Sequence, residues 1–276
     1  MSLKDVLAKH NFKFKKKFGQ NFISDPGILK KIVETGKITQ EDVVVEIGPG
    51  AGTLTKAIAR EAGQVIAIEI DQDLIPILEE NLAEFTNIRI IAGDALNINL
   101  DQLVNEVIGE PRPYKIIANL PYYITTPLVM HFLESGFNIE RIVIMVQKEV
   151  AERFVAQPGT KDYGALTVSI NFYTKPSIAF NVSRNVFIPR PDVDSAVVDL
   201  QVREVPPYEL NDIGILRKIV RVAFNQRRKT LNNALKTLNI EKDRIFQILK
   251  DADIDPQRRG ETLTLEEFVR VANRLP

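Results

Sequence analysis

The feature that most constrains this chain is a regular alternation between short runs of branched apolar residues and segments with helical spacing, kept up from residue 26 to about residue 202. A run such as Val43–Ile47 offers little polar surface to water, so a strand built from it must be covered on both faces. Strands of that kind joined by crossover helices form a parallel sheet sandwiched between helical layers. The runs that read as strands are Val43–Ile47, Val65–Ile70, Ile88–Ala92, Lys115–Ala118, Arg141–Gln147, Leu166–Phe172 and Ser195–Val202. Helical patterns fall at about 26–36, 52–62, 72–84, 100–109, 124–134 and 147–156, the first opened by Asp25-Pro26 as cap and first-turn proline. From Val205-Pro206-Pro207 onward no strand pattern remains, and helices are expected near 210–225, 229–238, 242–251 and 264–273, the last with a capping box in Thr264-Leu265-Glu266-Glu267. The expected architecture is α/β, a seven-stranded sheet domain over 1–205 followed by a small all-helical domain over 206–276.

Composition narrows the chemistry. The chain has no cysteine and two histidines, His10 and His131, too few for a structural zinc centre or a thiol nucleophile, so no metal is expected. No apolar run reaches the roughly 18–20 residues of a membrane span, and the start lacks an apolar signal core, so a cytoplasmic protein without a membrane partner is expected. The formal charge of zero conceals segregation: residues 1–31 hold eight lysines against Asp5 and Asp25, while residues 61–110 hold eleven acids against Arg89 alone. Arg217, Lys218, Arg221, Arg227, Arg228 and Lys229 make a second basic run free of acids. Two basic segments flanking an acidic middle fit a polyanionic partner.

The residues that carry chemistry stand at strand ends. The first strand runs into Gly48-Pro49-Gly50-Ala51-Gly52 and then a helix, placing a glycine turn where open α/β sheets bind ligands. The spacing is G-x-G-x-G, not the G-x-G-x-x-G of dinucleotide sites, which favours an adenosyl ligand without a pyrophosphate. Glu69 ends the second strand, 21 residues after Gly48, and its carboxylate can accept both hydroxyl hydrogens of a ribose. Asp94 ends the third, placed either to accept from an adenine amine or to cap the next turn. The fourth ends in Asn119-Leu120-Pro121-Tyr122. An aromatic amine is a poor nucleophile because its lone pair is delocalised, so an enzyme must orient it. The Asn119 side-chain oxygen and the Leu120 carbonyl could accept its two hydrogens, Pro121 stiffens the turn, and Tyr122 offers a face for stacking an extruded base.

These motifs, with Lys17-Phe18-Gly19-Gln20-Asn21-Phe22, Phe187-Ile188-Pro189-Arg190-Pro191-Asp192-Val193-Asp194-Ser195 and Phe224-Asn225-Gln226-Arg227-Arg228-Lys229-Thr230-Leu231, resemble in order those of the small-subunit ribosomal RNA adenine dimethyltransferases of the KsgA type. The resemblance spans essentially the whole chain. It implies a Rossmann-like class I methyltransferase sheet, S-adenosyl-L-methionine as cofactor, and dimethylation of the N6 amines of two adjacent adenosines in a hairpin near the 3′ end of small-subunit rRNA, within an immature ribosomal subunit. By similarity Asn21, Ile23, Gly48, Gly50, Glu69, Asp94 and Asn119 hold the cofactor, and the flipped adenine lies between Tyr122 and Phe187. The arm lysines Lys13, Lys15, Lys16 and Lys17, within a basic segment over 1–20, and Arg221, Arg227, Arg228 and Lys229 of the helical RNA-binding domain would contact phosphates, in a monomer. Three other readings stay open at this stage: a large-subunit rRNA dimethyltransferase of the antibiotic-resistance kind, a non-catalytic RNA-binding assembly factor, and a nicotinamide oxidoreductase.

Overall fold

The computed structural model describes residues 9, 10, 12, 14, 15 and 19–275; Lys13, Lys16 and Lys17 lie outside the described residues. Its strands are β1 (Phe22–Ile23), β2 (Val43–Ile47), β3 (Gln64–Glu69), β4 (Ile88–Ala92), β5 (Tyr114–Asn119), β6 (Ile139–Gln147), β7 (Thr174–Val182), β8 (Phe187–Ile188) and β9 (Ser195–Val202). Seven form one sheet in the order β4-β3-β2-β5-β6-β9-β7, and β1 pairs with β8 in a separate antiparallel ribbon. All five residues of β2 are buried, as a strand covered on both faces requires.

The five strands from β4 to β6 are mutually parallel, but β9 runs antiparallel to β6, so the sheet is mixed and not wholly parallel as its strand pattern suggested. A second correction concerns Leu166–Phe172, which alternates like a strand but forms part of a helix, Ala165–Tyr173; the sixth strand of the sheet is Thr174–Val182 instead. Here the helical period wins because Gly164 N–H donates to Thr167 Oγ1 at 3.1 Å, capping the first turn, and because Val168 and Phe172, four apart, both enter a helical core. Pro176 is tolerated in β7 because that strand lies at the sheet edge.

In chain order the helices are α1 (Pro26–Thr35), α2 (Thr53–Ala59), α3 (Ile75–Leu82), α4 (Leu100–Ile108), α5 (Thr125–Glu134), α6 (Lys148–Phe154), α7 (Ala165–Tyr173), α8 (Ile213–Asn225), α9 (Leu231–Ala234), α10 (Lys242–Asp251) and α11 (Leu265–Ala272). Asp25 caps α1 by accepting from Ile28 N at 2.9 Å, and the Thr264–Glu267 capping box of α11 is formed in both directions. None of the described helices is long and apolar enough to cross a membrane.

The chain divides into two compact units. One comprises the described residues up to Ala151 together with Ser177–Val202; the other comprises Glu152–Pro176 and Arg203 onward. Reading the sequence drew a single cut near residue 205, whereas the helical unit also takes in α7. Its core joins Tyr163, Val168 and Phe172 to Leu216, Ile219, Val220 and Ala223, the buried stripe of α8.

In the sheet unit, β3 and β4 lie on one side of β2 while β5 and β6 lie on the other. The strand order therefore reverses between β2 and β5, and the loops leaving their carboxyl ends face each other across the crevice where open α/β sheets bind ligands.

Candidate active site

The loop leaving β2 is a run of left-handed turns. Gly48, Gly50 and Gly52 have φ of 68°, 61° and 82°, conformations that side chains with a Cβ rarely adopt. A Cβ at Gly50 would stand 2.7 Å from the Phe22 ring, whereas one at Gly48 would meet nothing within 4 Å. Gly48 thus leaves open space against bare backbone at the strand end.

Glu69, at the end of β3, is 4 % exposed and faces this loop. Its Oε2 accepts from Gly50 N at 3.1 Å and its Oε1 from Asp71 N at 2.9 Å. Burial pushes its carboxyl up to about 7 against the pull of these bonds. Below it Glu46 is fully buried, one carboxylate oxygen lacking a partner, and burial together with the Glu69 charge pushes it up to about 8. Both groups hold protons in the folded state over a range where the unfolded chain, near 4.5, has lost them, so stability falls as pH rises from about 4.5 to 8. Glu46→Gln is expected to leave thermal stability unchanged near pH 5 and to raise Tm by about 5–10 °C above pH 8, a gap worth a few kcal/mol. Parallel Tm curves for the two proteins would show that Glu46 is ionised in the fold without cost.

The loop leaving β5 supplies the opposite wall. Asn119 Nδ2 donates to the Asn21 carbonyl at 2.8 Å, which fixes the amide and leaves Oδ1 as its accepting end. Among the described residues the Leu120 carbonyl accepts no hydrogen bond. The Pro121 carbonyl takes Thr125 Oγ1 at 3.1 Å and Ile124 N at 3.2 Å, stitching the turn to the start of α5. Tyr122 OH is 2.7 Å from Ser195 Oγ, which anchors the ring to β9.

Together these loops enclose a cleft with about 530 Å³ of empty space, lined by Asn21, Gly48, Gly50, Glu69 and the whole of Asn119-Leu120-Pro121-Tyr122. An open backbone cradle, a buried carboxylate beyond it and a largely apolar rim fit an adenosyl group with a ribose diol. The cleft has six further lining residues to which the sequence reading gave no site role: Gly19, Gln20, Phe22, Ile70, Leu74 and Tyr123. Ile70 and Tyr123 remain 45 % and 58 % exposed, and each directly follows a site residue. An apolar side chain just past the end of a strand, with no core to enter, was the available signal. A second, more open cleft shares Gly19, Gln20, Asn21 and Tyr122 with the first and adds Phe14, Lys15, Gln147 and Pro189–Val193.

Three expected site residues do not line the first cleft. Phe187 is 3 % exposed and packs in the sheet core with Ile23 and Val197, because its register with Ile23 in the β1–β8 ribbon turns it inward; it lines neither cleft. Ile23 is itself core, and its carbonyl accepts from Thr53 Oγ1 at 2.6 Å. Asp94 caps the 3-10 turn Ala95–Asn97, accepting from Leu96 N at 3.0 Å and Asn97 Nδ2 at 3.2 Å, and does not line the first cleft. Of the expected phosphate contacts, Arg221, Arg228 and Lys229 are exposed, with no side-chain partner among the described residues. Arg227 instead holds the loop before α7, donating to the carbonyls of Lys161 and Tyr163, and pairs with Glu261 at 3.3 Å. Lys15 pairs with Asp71 and Asp73, at 2.5 Å each.

Comparison with known proteins shows the family. Residues 11–275 match the family model described as ribosomal RNA adenine dimethylase. The chain is 51 % identical to the ribosomal RNA small subunit methyltransferase A of Moorella thermoacetica, over 95 % of this chain and 92 % of that one. It is 46 % identical to the protein of the same name from Enterococcus faecalis, over 99 % and 94 %. Among solved structures it resembles a dimethyladenosine transferase from Plasmodium falciparum (TM-score 0.78, 28 % identity, 91 % of this chain and 95 % of that one). It also resembles the 23S rRNA methyltransferase ErmE (TM-score 0.71, 28 % identity, 92 % and 99 %).

Proposed function

The chain belongs to the ribosomal RNA adenine dimethylase family, and from that premise we propose that its cleft dimethylates the N6 amines of two adjacent adenosines in a hairpin near the 3′ end of small-subunit rRNA. It is an rRNA adenine N6,N6-dimethyltransferase that uses S-adenosyl-L-methionine. The observation that carries the site assignment is the meeting of three groups in one cleft: the Gly48 cradle, the buried Glu69 carboxylate and the Asn119 amide held by the Asn21 carbonyl.

When bound, the cofactor would supply an electrophilic methyl group and leave as the neutral thioether S-adenosylhomocysteine. Glu69 would accept the ribose hydroxyls, and the backbone from Gly48 to Gly50 would hold the ligand. Asn119 Oδ1 and the Leu120 carbonyl each accept one hydrogen of the adenine amine, turning its lone pair toward the methyl-donor side of the cleft. No side chain need act as a base, since the proton of the alkylated amine passes to water. Holding donor and acceptor in a near-attack arrangement can supply roughly 7–11 kcal/mol of the barrier reduction. A monomethylated amine keeps one hydrogen and a lone pair, so one of the two acceptors can still orient it, and a second transfer needs only room for the first methyl.

Tyr122 is the stacking face for the extruded base, its ring held by Ser195. Tyr122→Ala is expected to lower activity about 10- to 100-fold, in line with roughly 1–3 kcal/mol for a base–aromatic stack. Initial rates on saturating substrate test this, and an unchanged rate would remove the stack. Exposed Arg221, Arg228 and Lys229 would bind phosphates, positioning the RNA without reading it. The substrate in this reading is an immature small subunit and the enzyme a monomer. Incubating immature small and large subunits with the protein and labelled cofactor, followed by mass spectrometry of nucleosides, tests the assignment. Dimethyladenosine at two neighbouring positions of small-subunit rRNA is the expected product; labelling of the large subunit alone would overturn it.

A further inference from the structure

Asp71 stands apart from the site residues already named: it is 2 % exposed, yet all its polar groups are engaged. Its N–H donates to Glu69 Oε1 at 2.9 Å. Its Oδ2 accepts from Gln20 Nε2 at 2.8 Å, and its Oδ1 takes Lys15 Nζ at 2.5 Å and Asp73 N at 3.2 Å. Gln20 in turn accepts from Lys15 N at 2.8 Å through Oε1, so its amide is held at both ends. The next residue, Asn21, provides the carbonyl that fixes the Asn119 amide. One buried carboxylate thereby joins the ribose-binding acid, through two residues of the arm, to the group that orients the substrate amine. Gly19 adds close contact on the same side: at φ 55° its Cβ position lies 3.3 Å from the Tyr123 ring, so the arm already sits against the loop after β5.

We propose that Asp71 is a positioning residue for methyl transfer, holding Gln20 and Lys15 so that the Asn21 carbonyl keeps Asn119 Oδ1 turned toward the amine. The proposal rests on the role given to Asn119 above. A carboxylate is required at this position because both oxygens face donors. Asparagine keeps the shape, the N–H to Glu69 and an acceptor for Asp73 N, but it sets an NH₂ against the Gln20 amide and removes the charge opposite Lys15. The arm then loses its anchor while the Glu69 side of the network stays intact.

Asp71→Asn is therefore expected to lower kcat about 10- to 100-fold, the scale of a displacement near 1 Å in a reacting pair. KM for the RNA substrate should stay within about twofold and Tm within about 4 °C of the parent. Gln20→Ala, which cuts the same link at a partly exposed position, should show the same kcat loss. The double variant should lose no more than either single one, because both break a single connection. Single-turnover kinetics with saturating cofactor read kcat, and thermal melts read the fold. Near-normal kcat in both variants, additive losses in the double variant, or a fall in Tm with kcat per folded molecule unchanged would each overturn the proposal. The parent protein is the control for the wider reading: absence of methyl transfer by it would refute the proposed function, whereas normal parent turnover with unaffected variants would refute only the positioning role of Asp71.

Discussion

Asn119→Ala is expected to reduce methyl transfer at saturating cofactor by about 10²–10³-fold, the range found when one preorganised polar group is removed from a reacting centre. Among the described residues its side chain makes one hydrogen bond, Nδ2 to the Asn21 carbonyl, so its truncation leaves the β5 strand and the Pro121 turn in place. What disappears is the acceptor that holds the amine with its lone pair directed at the methyl donor instead of shared with the ring, a contribution made only as the bond forms. The loss should thus fall on kcat, with cofactor affinity reduced much less. Transfer of a labelled methyl group in a single turnover measures it, and a rate near that of the parent would discard orientation by Asn119 as the source of catalysis.

Glu69→Ala should weaken cofactor binding about 10²-fold or more. Two hydroxyl hydrogen bonds to a charged acceptor are lost, each worth roughly 1.5–3 kcal/mol, and the buried N–H groups of Gly50 and Asp71 are left without their acceptor. The parent protein should carry a pH signature of the same group. Binding of the diol needs the ionised carboxylate, and burial holds that carboxyl near 7, so affinity should fall as pH drops below 7, approaching about tenfold per pH unit. Glu69→Gln should bind weakly with no such slope. Calorimetric titration between pH 5.5 and 8.5 reads both effects; an unchanged affinity in the alanine variant would remove Glu69 from the cofactor site.

The parts legible in the sequence are those in which the backbone decides the outcome. Buried strands declare themselves by unbroken apolar runs, and a parallel sheet puts their carboxyl ends on one edge, so Gly48, Glu69 and Asn119 could be gathered from order alone. Side chains whose destination depends on a distant partner could not be placed this way. Phe187 reads as an aromatic beside a proline-rich loop, and only its pairing with Ile23 in a two-residue ribbon sends it into the core. Asp94 suited both a ligand acceptor and a turn cap, and in the fold its carboxylate caps the Ala95–Asn97 turn. Leu166–Phe172 carried too short a pattern to separate period two from period 3.6, and the cap at Gly164 with the packing of Val168 and Phe172 decided for the helix. The link from Asp71 to Asn119 is invisible in one dimension, since its members lie up to 98 positions apart.

The interleaving of the two units has a consequence for how the molecule can be cut and how it is made. The polypeptide crosses between them three times, after Ala151, after Pro176 and after Val202. A fragment starting at residue 206 would lack Tyr163, Val168 and Phe172 and would leave the apolar stripe of α8 uncovered. On the ribosome, the segment from Glu152 to Pro176 emerges before the helices that bury it, so its hydrophobic side chains must wait, unshielded, until the helices after Val202 have been synthesised. Its exposure to chaperones and proteases during that interval is set by translation speed as well as by the strength of the finished fold.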